Sequence, residues 1–214
     1  MSVIPATAAA APAAEAEGVI KSRLEHTTAA PLPAAELTEL QAWHRICHAL
    51  ELLGQHPDRY LGYAYGNLSR RRAHAPGFII SGTQTSGQTA LAADDYAWVQ
   101  AWSAADNGVK ACGPARPSSE ALTHGVLYDL DVAVGAVVHA HSAPIWSAAR
   151  TLGLPGTPAD VPYGTPAMAD AVVRLVRALP DPSQGLFVMH GHEDGVVSFG
   201  PDLATAGALM VRAL

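Results

Sequence analysis

Apolar residues at Leu37, Leu40, Trp43, Ile46, Cys47, Leu50 and Leu53 recur at close to helical spacing. They predict a helix over residues 34–53, with Gly54 as its C-terminal stop. The run Phe78-Ile79-Ile80 reads as a strand, while residues 91–102 fit either period. Pro117-Ser118-Ser119-Glu120 opens a second helix that runs to about residue 130. Ser118 or Ser119 is its expected N-cap, which puts Glu120 in the first turn, where the helix dipole favours an anion. Residues 133–139 form a buried strand by composition. Helices are expected over 144–152 and 167–179, with a Gly-, Pro- and Thr-rich loop at 153–167 between them. Short strands at 186–189 and 195–199 flank His190 to Asp194, and a last helix runs from near Pro201 to Leu214. Strands interleaved with helices predict an α/β or α+β sheet protein.

The first 33 residues differ from the rest. They are rich in Ala and Pro, with no apolar period that could offset the entropy of ordering. They read as a flexible arm (1–33), with room for a short helix over 19–24, ahead of a folded domain over 34–214. The chain of 214 residues is 49% hydrophobic and 15% charged, a globular composition large enough for a real core. A net charge of -6 points away from nucleic acid and from polybasic membrane binding. The one basic cluster, Arg70-Arg71-Arg72, reads as a solvated turn. Two distant cysteines, Cys47 and Cys112, make no disulfide framework and fit a reducing, cytoplasmic setting. No apolar run approaches the ~20 residues that span a bilayer, and no secretory signal is expected.

The candidate chemistry lies at the ends of predicted strands. His139 and His141 are two residues apart after an apolar run, so in a strand both imidazoles share a face and reach one ion at about 2 Å. A second cluster, His190-Gly191-His192-Glu193-Asp194, can supply a third imidazole, as catalytic zinc sites require. Glu120 is the candidate general acid/base. Three stretches, Gly66 to Ser69, Ser81 to Gly87, and Ser118-Ser119, read as small loops whose amides and hydroxyls could cradle an anion.

In chain order these pieces are Gly-Asn-Leu-Ser, a Thr/Gly loop, Pro-Ser-Ser-Glu, His-x-His nineteen residues after the glutamate, and a late His-Gly before Gly-Val-Val. The pattern resembles the class II aldolase/adducin family over about residues 37–210, most specifically from Pro117 to His141. The resemblance implies a three-layer α/β/α fold with a largely antiparallel central sheet flanked by helices. It implies that His139 and His141 are metal ligands, that Glu120 is the acid/base, and that Asn67, Thr83, Ser118 and Ser119 line a phosphate site. For the third ligand His192 comes first and His190 second; both could bind, being two residues apart. The turn carries two residues more than the family's usual Asn-His-Gly, and Gln84 stands where family loops often have glycine.

The activity implied is that of a divalent-metal lyase, with zinc the first expectation and iron(II) or manganese also accommodated. It would cleave or form a carbon–carbon bond of a small hydroxy-ketone, phosphorylated or not, through a metal-stabilised enediolate. The same fold also serves epimerases, dehydratases and an iron(II) oxygenase, and a non-catalytic adducin-like module. A homotetramer is expected from the resemblance. The tyrosine that a neighbouring subunit supplies in sugar-phosphate aldolases has no placeable equivalent here.

Overall fold

The computed structural model describes residues 21–214. The elements in chain order are β1 (Arg23–Thr27), α1 (Ala34–Ala49), β2 (Gly54–Gln55), β3 (Ala64–Tyr65), β4 (Asn67–Arg71), β5 (Phe78–Ser81), β6 (Tyr96–Ser103), β7 (Gly108–Cys112) and α2 (Ala121–Leu130). They continue as β8 (Ala136–His141), α3 (Ala143–Ala148), β9 (Gly156–Thr157), α4 (Pro166–Arg177), β10 (Gly185–Met189), β11 (Gly195–Gly200) and α5 (Leu203–Arg212).

Among the described residues, nine strands form one sheet in the order β1-β7-β6-β5-β4-β8-β11-β10-β9, and β2 pairs with β3 apart from it. The two outermost pairs, β1 with β7 and β9 with β10, are parallel. Every other neighbouring pair in the large sheet is antiparallel. Helices cover both faces. On one side α2 and α4 bury Leu122, Leu127, Met168 and Val172 against Phe78, Ile80, Val137, Val197 and Phe199. On the other, α1, α3 and α5 bury Leu37, Leu40, Ile145 and Met210 against Leu68, Ile79, Val138, Ala140 and Val196. This is the expected α/β/α sandwich, and it follows from strict alternation along the central strands. Within β8, Ala136, Val138 and Ala140 face α1 and α5, whereas Val137 faces α2 and α4.

Several boundaries differ from the sequence expectation. Arg23–Thr27 is a strand, so the sheet reaches into the proposed 1–33 arm, and the helix proposed over 19–24 is not formed in its described part. Backbone pairing with β7 orders this segment, whose only inward side chains are partly buried. The rest of that arm, and residues 19 and 20 of that helix, lie outside the described residues. Helix α1 stops at Ala49, before Gly54. Glu51 adopts the left-handed conformation (φ 57°), and the amides of Glu51 and Leu52 bond back to the carbonyls of His48 and Cys47. That is a Schellman ending with glutamate in the place usually held by glycine. The ambiguous stretch 91–102 resolves as strand β6 from Tyr96 on.

Gly66 to Ser69 is not a loop, because Asn67 starts β4. The arginines that follow it are braces rather than a solvated turn. Arg71 donates to the carbonyls of Tyr128, Asp131 and Val134, and so caps the C-terminus of α2. Arg72 makes a two-pronged ion pair with Glu36. Both cysteines are free thiols; Cys47 is buried, which pushes its pKa up to about 12. No helix among the described residues is long and apolar enough to cross a membrane.

Candidate metal centre

Antiparallel pairing sets the site at one end of the sheet. In β8, His139 and His141 have the same parity as Val137, so both point to the α2/α4 side. Their cross-strand partners are Asn67 and Val197 for His139, and Gly195 for His141. The β10–β11 connection returns to the same end, and there His192 completes the cluster. One nitrogen from each of His139, His141 and His192 lies within 4.8 Å of the others. A tetrahedral ion with ~2.0–2.1 Å bonds needs about 3.4 Å between donors, which small ring rotations would supply. All three imidazoles are buried. Burial, then the neighbouring His192, holds the pKa values of His139 and His141 well below the usual histidine range. The rings are therefore neutral at pH 7, the state a metal ligand needs. His139 Nε2 is buried with no hydrogen-bond partner, an orphaned polar atom of the kind a cation satisfies. The residues present therefore fit a divalent ion.

His190 is not part of this cluster. It is exposed, and its ring meets Trp146 edge-on at 5.6 Å. The i, i+2 rule fails here because His190 and His192 sit in a turn rather than a strand. Glu193 and Asp194 lie between His192 and β11. The Gly195 amide closes back on the His192 carbonyl, with Asp194 left-handed at φ 59°. Gly191 is required where it stands, because a Cβ there would collide with the carbonyl of Val161.

Glu120 is the N-cap of α2 rather than a first-turn residue. The Ser118 hydroxyl accepts the Glu120 amide, and the Ala121 amide bonds to the Ser118 carbonyl, so α2 begins one or two residues later than expected from Ser119 or Ser118 as N-cap. Glu120 is buried, and its Oε2 accepts the Thr123 hydroxyl at 2.8 Å. Ser118 and Ser119 are also buried, whereas Thr83 is half-buried. A bridge between Gly82 and Pro117, and the Thr83 amide on the Arg116 carbonyl, hold the two loops side by side. Gln84 keeps the glycine-like conformation of its position (φ 60°). Its side-chain amide bonds both ways to the Ala64 backbone, which offsets part of that strain.

An aromatic wall around the imidazoles was not foreseen from sequence. Tyr60 packs edge-on against His141 at 4.6 Å, Tyr65 lies 5.5 Å from the same ring, and Tyr163 stacks on His192 at 4.2 Å. The Tyr60 hydroxyl donates to Asp194 at 2.6 Å and accepts from Arg59 at 2.7 Å. Burial and the Asp194 bond raise the pKa of the phenol, so it stays protonated. Tyr60 and Leu61 are both left-handed, at φ 49° and 58°, as costly backbone near functional sites often is. Nothing in the pattern of residues 56–63 signals this, because Tyr60 meets Asp194 across 134 positions. His124 was legible in principle: it is one helical turn beyond Glu120 and shares its face.

The Class II Aldolase and Adducin N-terminal domain profile matches residues 44–213. The chain therefore belongs to the class II aldolase and adducin family. Among solved structures, L-fuculose-1-phosphate aldolase from Thermus thermophilus superposes with a TM-score of 0.63 at 18% identity, over 85% of this chain and 90% of that one. YgbL from Klebsiella pneumoniae, described as a candidate aldolase/epimerase/decarboxylase, gives 0.61 at 18% identity over 84% of each chain. YgbL from Escherichia coli gives 0.56 at 21% identity over 82% and 83%. At these identities the likeness shows the fold. No curated protein matches the sequence significantly.

Proposed function

We propose that this chain is a divalent-metal-dependent lyase of the class II aldolase type, acting on a small hydroxy-ketone. The observation that carries the reading is the buried triad of His139, His141 and His192, one nitrogen of each within 4.8 Å of the others. His139, His141 and His192 would hold a divalent ion, which would supply Lewis-acid stabilisation of negative charge developing on a substrate oxygen. Three uncharged donors leave its positive charge largely uncancelled, which suits that task. Zinc is the first choice, and the same donors accept iron(II) or manganese.

Glu120 moves the proton to and from the substrate carbon, and the Thr123 hydroxyl fixes its rotamer. The protonated Tyr60 phenol, held by Asp194, walls the His141 side. Asn67, Thr83, Ser118 and Ser119 receive the anionic end of the substrate, phosphate or carboxylate. The working form is a cytoplasmic homotetramer, and sedimentation of the purified protein tests that assembly.

Elemental analysis of anaerobically purified protein, with His139→Ala as control, tests the function. About one zinc per chain, lost in the variant, together with retro-aldol cleavage of hydroxy-ketones, is the expected result. Iron with oxygen uptake would replace the lyase reading by an oxygenase. Neither protein holding metal would leave a non-catalytic adducin-like module.

A further inference from the structure

Asn67 lies directly opposite His139 across the β4–β8 pair, and its Nδ2 is 3.3 Å from His139 Nδ1. The amide thus occupies Nδ1 and leaves Nε2 as the nitrogen able to reach an ion. In this orientation, however, the amide donates to Nδ1, so the ring proton must sit on Nε2. A protonated Nε2 cannot bind metal. The arrangement also leaves Asn67 Oδ1 and His139 Nε2 buried without hydrogen-bond partners. Burying such atoms without a partner is costly.

Rotating the Asn67 amide by half a turn exchanges Oδ1 with Nδ2 at no cost in shape. Oδ1 then accepts Nδ1–H, the proton leaves Nε2, and Nε2 presents its lone pair. The N–H2 group turns to the place Oδ1 held. We propose that Asn67 is a positioning residue for the metal: its side-chain carbonyl accepts Nδ1–H of His139 and fixes that ring as an Nε2 ligand. Metal-binding histidines ordinarily have such an acceptor on the other nitrogen. The assignment rests on the metal-site reading above, and it gives Asn67 a task besides the anion contact that the family resemblance implies.

Asn67→Ala and Asn67→Asp test it, with zinc dissociation constants measured by competition against a chromophoric chelator. Cobalt(II) absorption spectra and metal-free melting temperatures are recorded alongside. Asn67→Ala weakens zinc by about 10–100-fold. Asn67→Asp, an acceptor of the same shape, holds the affinity or tightens it. Were the amide a donor to Nδ1, the aspartate would face a lone pair and zinc would weaken, which overturns the proposal. An alanine variant within twofold of wild type overturns it as well. Should the alanine variant not fold, the direction of the aspartate effect alone decides. Wild-type protein that binds no zinc would instead defeat the metal-site reading itself.

Discussion

Glu120 is oriented before any substrate arrives, by its place at the head of α2 and by the Thr123 hydroxyl. In the proposed lyase this carboxylate is the proton-transfer group. Glu120→Gln keeps the shape and the Thr123 bond, so metal content stays at the wild-type level while turnover falls by about two to four orders of magnitude. Normal turnover in this variant would remove Glu120 from the mechanism. Beneath the site, His124 is fully buried, with Nδ1 on the Ser69 hydroxyl, which also meets Tyr128. Burial pushes its pKa down to about 3. The unfolded chain, near pKa 6.5, takes up a proton that the folded chain refuses. Stability from this group is therefore complete above about pH 6.5 and is lost as pH falls towards 3, at about 1.4 kcal/mol per pH unit. In metal-free protein His139 and His141 act in the same direction. Urea unfolding of metal-free protein at pH 7, 6 and 5 should show this decline. His124→Phe should flatten it by about one proton's worth, and an unchanged slope would count against the burial argument.

The element scale shows how a helix can end without glycine. Glu51 carries the left-handed turn that closes α1, although a β-carbon there costs roughly 1 kcal/mol. Glu51→Gly should stabilise the protein by up to about 1 kcal/mol, net of the added chain entropy, which thermal melting would read as a rise of roughly 2–4 °C. A fall in melting temperature would mean that Glu51 makes interactions worth more than the strain. This ending also explains part of what the sequence could not reveal. The apolar period of α1 continues through Leu50 and Leu53, but Leu52 and Leu53 are buried after the chain has left the helix. Apolar spacing reports burial, and burial continues past the last helical bond. Likewise Asn67 to Ser69 are turn-forming types yet pair as a strand, where the Ser69 hydroxyl meets His124 Nδ1 and Asn67 meets His139 inside the sheet. The i, i+2 logic was legible for His139 and His141 and misled for His190, whose segment is a turn.

At the scale of the whole molecule, the histidine triad joins two segments that are far apart in sequence: the end of β8, with His139 and His141, and the turn before β11, with His192. Because the unfolded chain does not hold these groups together, an ion bound by the triad stabilises the fold by mass action. At a hundredfold excess over its dissociation constant, zinc should add about 2.7 kcal/mol, a rise in melting temperature of about 5–10 °C. A chelator should reverse the rise, and His139→Ala should show none; the same rise in that variant would place the ion elsewhere. The order of motifs announced the family and its sandwich. The strand order did not follow from local pattern, since β4 sits between β5 and β8 through pairings many residues apart.

The alternation along β8 divides labour between the two faces of one sheet. Ala136, Val138 and Ala140 serve only packing against α1 and α5, whereas His139 and His141 project into the site. Selection for stability can therefore work on one side of the strand while selection for reactivity works on the other. A lineage with this architecture can replace its chemistry face by face, keeping an intact back wall while the front acquires a new reaction.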